Sequence, residues 1–215
     1  MSGVDELLDL VNEHDEVVGQ VRRSEAWARR LPVRGVNAFV RNSRGQLWFP
    51  RRTADKRHYP NCLDMSVGGH VESGEDYLIR IPLHSCTVGK APPVHPYRRI
   101  RIFSYSHPLG LNLKRPDSIG IRMTCFRRET QEELRWDIGT LDWREIAAFS
   151  PFETSLSCFM RVYEIHSDAA PDYNRADFSE AFWLTPRQFL ARVAEGEAVK
   201  GDLTELVRQC YGEEL

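Results

Sequence analysis

Three glutamates lie close together on one flank of a predicted helix. In residues 124–134, apolar or buriable side chains recur at i, i+4 and i+8, which predicts an amphipathic helix. On it, Glu129, Glu132 and Glu133 stand at i, i+3 and i+4. Like charges at this spacing destabilise a helix by roughly 0.2–0.5 kcal/mol per pair, and a hard cation such as Mg²⁺ removes that penalty by binding carboxylate oxygens. An isolated cluster of this kind is more simply interpreted as a solvated acidic face. The surrounding sequence therefore decides between that interpretation and a metal site.

A glycine turn upstream of this helix carries a further glutamate. Residues 68–75 read Gly-Gly-His-Val-Glu-Ser-Gly-Glu and follow a predicted strand at 63–67. Between the turn and the helix stands a segment of different composition, residues 78–122. It has eight basic residues and one acidic residue, a charge of +7, whereas the rest of the chain has 21 basic and 30 acidic residues, a charge of −9. This charge reversal marks residues 78–122 as an insertion.

With the insertion left out, the turn and the helix form one spaced pattern. Five residues separate the second glycine from a glutamate, and seven more lead to an Arg-Glu pair that precedes Glu-Glu. This pattern resembles the Nudix box, Gx5Ex7REUxEExGU with U aliphatic, and the resemblance to the Nudix hydrolase superfamily covers nearly the whole chain. The DLVNEHDEVVG, NSRGQL and PRR stretches resemble its isopentenyl-diphosphate-isomerase-like branch. The positions that match the box are Gly69, Glu75, Arg128, Glu129, Glu132 and Glu133.

Two positions depart from the box. Its first aliphatic residue is Thr130 here, and its glycine is Arg135. Glycine at that place supplies a left-handed helix C-cap, so Arg135 either adopts the same conformation at a cost of about 1 kcal/mol or ends the helix differently. Neither change removes a carboxylate, so we expect the chemistry to survive.

The remaining pattern predicts an α/β (α+β) fold, and the resemblance implies an α/β/α sandwich with a mixed sheet in a single domain, residues 1–215. Strands are expected at 8–11, 17–21, 33–40, 46–49, 63–67, 143–149, 157–165 and 181–184. Besides the helix at 124–134, which Thr124 can cap, helices are expected to begin at Ser24, at Thr185-Pro186 and at Asp202.

The resemblance implies a site for Mg²⁺ or Mn²⁺ that bridges a diphosphate. Glu129 and Glu133 are implied as the main metal ligands, Glu132 as a further ligand, direct or through water, and the carbonyl of Gly68 or Gly69 as an additional oxygen. The implied reaction is hydrolysis of a phosphoanhydride in a nucleoside di- or triphosphate to give the monophosphate.

The general base is left open by the sequence. Glu129 and Glu132 of the box are candidates for a catalytic role. Many members of the superfamily take the base from a loop outside the box, and here Glu153 and Glu180 are the candidates.

Several basic residues are candidates for binding the substrate. Arg51 and Arg52 end a predicted strand, and a guanidinium suits bidentate phosphate contacts; a solvated strand end is the equal alternative. Arg128 belongs to the same set, although we expect it chiefly to brace Glu132 through an i,i+4 pair. Phosphate binding and solvation are equal alternatives also for the run Lys56, Arg57 and His58.

Isomerisation is disfavoured by three features. The isomerases need a cysteine just before the Gly-His pair, where this chain has Gly68, and Cys62 stands too early to replace it. They also use histidines from the preceding strand, and residues 33–40 contain none. His70 matches the Gly-His pair but alone is better interpreted as a hydrogen-bonding loop residue.

The insertion admits two interpretations. Its basic residues, interleaved with aromatic side chains, suit contact with phosphate or single-stranded nucleic acid, and a neutral or harmful, poorly ordered segment is the favoured alternative. Rival functions are therefore a catalytically silent protein of the same fold and, less favoured, a nucleic-acid binder. The insertion also separates Glu75 from the helix, so the placement of Glu75 is the question that the sequence leaves open.

The composition indicates a cytoplasmic protein. No apolar run approaches the roughly 20 residues that span a bilayer, and residues 1–10 are acidic and lack the features of a signal peptide. The five cysteines are odd in number and never spaced as CxxC, which argues for reduced thiols and against a zinc site. The sequence leaves the oligomeric state open.

Overall fold

A computed structural model describes residues 5–77 and 124–215, and both interpretations of the insertion concern residues outside these ranges. The strands within them are Leu7–Val11 (β1), Val17–Arg22 (β2), Arg34–Arg41 (β3), Leu47–Arg52 (β4), Val67–His70 (β5), Asp142–Phe149 (β6), Phe159–His166 (β7) and Phe178–Leu184 (β8). The α-helices are Arg23–Arg29 (α1), Cys125–Leu134 (α2), Pro186–Ala194 (α3) and Leu203–Tyr211 (α4).

Six of these strands form one mixed sheet, as the sequence predicts. Its order is β6-β7-β3-β4-β8, and β5 also pairs with β3. The β3–β7 pair is parallel and the other pairs are antiparallel. β4 meets β3 at the pair Leu47–Arg41 beside the connecting turn, whereas β5 pairs with residues 35–38 of β3. β1 and β2 form a separate antiparallel hairpin.

Helices cover both faces of the sheet. On one face, Phe126 of α2 stacks on Tyr163 of β7, with ring centroids 4.1 Å apart and planes 8° from parallel. On the other, Phe49 of β4 stacks on Phe189 of α3 at 4.4 Å and 11°. Two separate apolar clusters follow from this arrangement. The expected α/β/α sandwich is therefore observed. Within residues 5–77 and 124–215, no helix is long and apolar enough to cross a membrane.

The strand expected at 63–67 is wrong in its position. β5 begins only at Val67 and continues through the two glycines, whereas Leu63 makes isolated bridges to Arg51 and Val199. Residues 63–66 are buried, and Ser66 donates to the carbonyl of Trp48 at 2.6 Å. A short buried apolar run has the same pattern as a strand, and this explains the error.

The helix starts agree with the sequence to different degrees. Thr185 forms the expected capping box with Gln188 at the start of α3. Thr124 takes the N-cap position of α2, and Asp202 that of α4, each without a side-chain cap hydrogen bond. Ser24 does not cap α1, since it lies inside the first turn and donates its hydroxyl to Asp5 at 2.6 Å.

Candidate functional site

Helix α2 sets two of its glutamates against the glycine pair of β5. The carboxylate of Glu133 accepts a hydrogen bond from the backbone N–H of Gly68 at 2.9 Å. Glu129 lies so close to Gly69 that a Cβ atom at position 69 would stand 1.8 Å from its Oε1. Only glycine therefore permits this approach, which gives the second glycine of the box a physical reason.

Arg128 connects the glutamates of α2 with the loop that follows β5. Its guanidinium donates two hydrogen bonds to Glu75, at 3.0 and 2.9 Å, and one to Glu129 at 2.8 Å. It also donates to the carbonyl of His70 at 3.1 Å. The expected i,i+4 contact with Glu132 is longer, at 3.6 Å, and Glu132 is 59% exposed. The bracing role predicted for Arg128 thus extends to Glu75, a partner that the sequence analysis did not assign.

The loop stays joined to the helix despite the insertion. The N–H of Cys125 donates to the carbonyl of Asp76 at 3.2 Å, and the N–H of Phe126 donates to that of Tyr77 at 3.5 Å. Two backbone groups at the start of α2 thereby find acceptors on the chain that precedes the insertion. The placement of Glu75, left open by the sequence, is settled within the described residues by these bonds and by Arg128.

Both departures from the box are accommodated locally. Arg135 adopts the left-handed conformation, φ 56° and ψ 27°, and caps α2 through its N–H to the carbonyl of Gln131. Of the two alternatives, the strained cap is therefore the one observed. Thr130 is fully buried and donates its hydroxyl to the carbonyl of Phe126 at 2.7 Å, so its polar group is satisfied inside the helix.

Glu129 and Glu133 lie in an environment that disfavours their charged forms. Burial raises the pKa of Glu129 to about 7, the charge of Glu132 adds to this, and Arg128 opposes it. Burial also raises the pKa of Glu133, and the charges of Glu129 and Asp64 act in the same direction. A bound cation would offset both effects, because it favours the ionised carboxylates.

The donors fit a hard cation that keeps part of its hydration. In residues 5–77 and 124–215, no three His, Cys, Asp or Glu side chains converge as a complete metal cage. A cation held by Glu129 and Glu133 would complete its shell with a backbone carbonyl, water or substrate phosphate, which is the usual manner of Mg²⁺.

A second charged group lies beside Glu133. Asp64, 1% exposed, binds Arg52 at 2.7 Å and Lys200 at 3.0 Å. The charge of Lys200 acts on Glu133 and on His70, whose pKa burial lowers to about 3. Sequence analysis missed Asp64 and Lys200. Asp64 could have been noticed as the one acidic residue in the apolar run at 62–67, whereas no sequence pattern singles out Lys200.

Arg51 and Glu180, a candidate phosphate ligand and a candidate base, pair with each other. Arg51 donates to Glu180 at 2.6 Å and to Glu197 at 2.8 Å. The other candidate base, Glu153, is exposed in the turn after β6, where its N–H donates to the carbonyl of Ser150 at 3.2 Å. These contacts join neither acid to the glutamates of α2.

The three residues of the basic run after β4 lie in different environments. Lys56 forms an ion pair with Asp177. Arg57 is exposed. The ring of His58 lies against Trp27 of α1, with centroids 4.8 Å apart.

Comparisons with known proteins agree with this fold. No protein-family model matches the sequence. The chain is 48% identical to a Nudix hydrolase of Deinococcus radiodurans, covering 100% of this chain and 99% of that protein. It is 38% identical to an uncharacterized Nudix hydrolase of Nostoc sp., covering 96% of each. The crystal structure of DR0079 from Deinococcus radiodurans matches with a TM-score of 0.71 at 46% identity, covering 96% of this chain and 99% of that one.

A mixed sheet between helix layers, with a glutamate-bearing helix set on a glycine pair, defines the class of fold and site. Together with relatives at 48% and 38% identity over almost the full length, it establishes the family. The chain belongs to the Nudix hydrolases.

Proposed function

We propose that the protein hydrolyses a phosphoanhydride bond of a nucleoside di- or triphosphate to the monophosphate, with Mg²⁺ or Mn²⁺ as cofactor. The observation that carries this proposal is the pair Glu129 and Glu133 set against Gly69 and Gly68, with Glu129 buried, Glu133 half-buried and the pKa values of both raised. Folding carboxylates into such a position costs free energy, and a divalent cation offsets that cost.

The metal ligands are assigned to Glu129 and Glu133, with Glu132 as a further ligand and the carbonyl of Gly68 or Gly69 as an additional oxygen. A bound cation supplies positive charge to the phosphoryl oxygens and makes an attacking water more acidic. Glu132 is 59% exposed, so it can bind through water without leaving the helix surface. Arg128 acts as a positioning residue, because four of its hydrogen bonds go to Glu75, Glu129 and the carbonyl of His70, all within the site itself.

We assign phosphate contact to Arg52 in preference to Arg51. Arg52 and Lys200 both donate hydrogen bonds to Asp64, whose charge acts on Glu133. Two positively charged side chains therefore stand where the end of a diphosphate would lie. Arg51 is bound by Glu180 and Glu197 and would have to exchange one of them for phosphate.

The general base is assigned to the set Glu129, Glu132, Glu153 and Glu180. Replacement of each by Gln separates these candidates. Loss of the base removes the acidic limb of the pH–rate profile, whereas loss of a metal ligand raises the Mg²⁺ concentration needed for the half-maximal rate.

Three further features belong to the proposal. The chain forms a single domain, 1–215, interrupted by residues 78–122. The substrate is a small diphosphate compound, and nucleic acid is the less favoured partner. The protein acts in the cytoplasm.

The decisive experiment is phosphate release from a panel of nucleoside di- and triphosphates, measured with Mg²⁺, with Mn²⁺ and with a chelator. We expect turnover that depends on the cation and falls more than about 100-fold in Glu133→Gln, since residues that only support metal ligands are already worth roughly 10–100-fold. Full activity in that variant would refute the metal assignment. No turnover of any nucleotide by the natural chain would favour the catalytically silent alternative.

A further inference from the structure

Four aromatic side chains from three separate segments gather at the surface near the candidate metal site. Trp27 of α1 lies 4.8 Å from His58, 6.4 Å from Tyr59 and 6.2 Å from His70, measured between ring centroids. His58 and Tyr59 belong to the loop after β4, and His70 ends β5. We refer to these four residues as the aromatic cluster.

Three members of the aromatic cluster, Trp27, His58 and Tyr59, are exposed to solvent, and His70 is half-buried. Trp27 is 39% exposed and Tyr59 is 37% exposed, although each has aromatic neighbours. Exposed large aromatic side chains that touch one another form an apolar surface, and such surfaces commonly mark binding sites. By contrast, Trp48 is 1% exposed and packs in the core.

The chain holds this surface in place at a conformational cost. Tyr59 and Asn61 both have left-handed backbone conformations, with φ of 52° and 60°. Non-glycine residues in this region of φ and ψ are strained and often lie at ligand sites. Arg23 stands over the Trp27 ring at 5.9 Å and is itself held by Glu6 at 2.9 Å, so one side of the ring is already supported.

The aromatic cluster and the glutamates meet at β5. Side chains alternate along a strand, and Gly69 faces Glu129, so His70 points to the opposite face. Glu133 reaches the edge of the same strand at the N–H of Gly68. A ligand at this edge would therefore contact Glu133 with one end and pass His70 with the other.

Lys200 lies close to both groups. Its amine binds Asp64 at 3.0 Å beside Glu133, and the next residue, Gly201, lies against the hydroxyl of Tyr59. Lys200 and Gly201 thus connect the charged group at Asp64 with Tyr59 of the aromatic cluster.

We propose that the aromatic cluster stacks the base of the nucleotide whose diphosphate lies at Glu129 and Glu133. This inference rests on the proposed function, and it adds the group that makes a nucleotide a better ligand than a bare diphosphate. Stacking of a base on an aromatic side chain is sequence-tolerant, because every base has a π-face. Trp27 is the central member, since the other three rings all lie around it.

The test is a binding titration that does not require turnover. The probes are the α,β-methylene diphosphates of adenosine, guanosine, cytidine and uridine, which resist hydrolysis, and methylene diphosphonate, which has no base. Each is titrated with Mg²⁺ into the natural chain and into Trp27→Phe, Trp27→Ala and Val18→Ala. Val18 is an exposed apolar residue of β2 and serves as the control.

Trp27→Ala is expected to weaken binding of at least one nucleoside analogue roughly 5- to 150-fold, the range that corresponds to the loss of one stacked base. Methylene diphosphonate should bind all four chains alike, and Trp27→Phe should retain most of the affinity. Circular dichroism and thermal unfolding identify any variant that fails to fold, in which case Tyr59→Ala replaces it.

The outcomes separate this inference from the proposed function. If nucleotides are hydrolysed but Trp27→Ala changes neither KM nor analogue affinity, the base site is wrong and the hydrolase stands. If the nucleoside analogues bind through Trp27 and no nucleotide is hydrolysed, the base site stands and the hydrolase is wrong. Equal weakening of the analogues and of methylene diphosphonate would also overturn the base site, because the effect would then concern the diphosphate.

Discussion

The guanidinium of Arg128 holds the carboxylate of Glu75 by two hydrogen bonds, from Nε to Oε1 at 3.0 Å and from Nη2 to Oε2 at 2.9 Å. Both side chains are about 85% buried, and the pair joins parts of the chain that stand on either side of the insertion. The same guanidinium reaches Glu129 at 2.8 Å. The loop before the insertion and the carboxylates after it are therefore positioned by one side chain.

Glu75→Gln should destabilise the protein by about 1.5–3 kcal/mol, the usual worth of hydrogen bonds to a charged group. Urea unfolding of the natural and variant chains measures this difference. Glu72→Gln is the matched control, because Glu72 stands 3.8 Å from Arg128 and is 46% exposed, and we expect a change below about 0.5 kcal/mol there. Equal effects in the two variants would mean that the bidentate pair does not hold the loop.

Gly69→Ala should lower activity roughly 10- to 100-fold, the effect typical of displacing a metal ligand's support. The added Cβ would overlap the Glu129 carboxylate at 1.8 Å, so Glu129 must leave its place. Gly19→Ala on β2 is the control, because its Cβ would meet nothing closer than 3.9 Å. Comparison of kcat and of the Mg²⁺ concentration for half-maximal rate checks the effect, and unchanged values for both variants would contradict the close approach.

The sequence predicted the parts of this site that are local and missed those that are not. The glutamates of α2 were predictable because periodicity and spacing both lie within one helix. The pairing of Lys200 with Asp64 spans 136 residues, and such a contact leaves no periodic trace. For Arg135, the pattern left two outcomes open, since the penalty of a left-handed arginine is small enough for tertiary packing to impose it.

Arg135→Gly should stabilise the protein by about 0.5–1 kcal/mol. Relief of the left-handed conformation is worth roughly 1–2 kcal/mol, and the greater freedom of glycine in the unfolded chain offsets part of it. The ion pair lost with Asp172 is 3.4 Å long and exposed, so it contributes little. Arg135→Ala loses the same ion pair but keeps a Cβ and should not stabilise. Thermal unfolding of the two variants separates these expectations, and equal midpoints would rule out strain at this cap.

Deletion of residues 78–122, joining Tyr77 to Met123, should leave the fold intact. The carbonyl of Tyr77 already accepts from the N–H of Phe126 at 3.5 Å, so the two ends need no rearrangement to meet. A shorter loop also costs less entropy to close. The circular dichroism spectrum should match that of the full chain, and the unfolding midpoint should agree within about 4 °C, the shift that a change of about 1 kcal/mol produces in a chain of this size.

Turnover of the deletion chain then decides between the two interpretations of the insertion. Lower activity or a higher KM would favour a phosphate-contacting role, and unchanged or improved turnover would favour a neutral or harmful segment. Loss of cooperative unfolding would contradict the single-domain proposal for the remaining residues.

In the absence of a cation, the contribution of Glu129 and Glu133 to stability should fall as pH rises from about 4.5 to about 7. His70, whose pKa burial lowers to about 3, acts in the opposite direction below pH 6.5, so the two effects must be separated by comparison with a variant. Burial raises the pKa of Glu129 to about 7 in the folded chain, from an ordinary value of 4.5, and it raises that of Glu133 as well. The folded state therefore binds protons more tightly than the unfolded state, so this contribution is fully present below pH 4.5 and is lost as pH passes through 7. Thermal unfolding of the natural chain and of Glu129→Gln in a chelator, from pH 4.5 to 8, isolates this contribution, because His70 is present in both chains.

Glu129→Gln removes one of the titrating groups, so its unfolding midpoint should depend less on pH over the same range. Mg²⁺ competes with the proton for these carboxylates, and the midpoint of the natural chain should therefore rise more on adding Mg²⁺ at pH 8 than at pH 5. The variant should lose most of that rise. Identical pH profiles for the natural chain and Glu129→Gln, or a Mg²⁺ effect of equal size at both pH values, would mean that the buried carboxylates of α2 are not the groups that bind the cation.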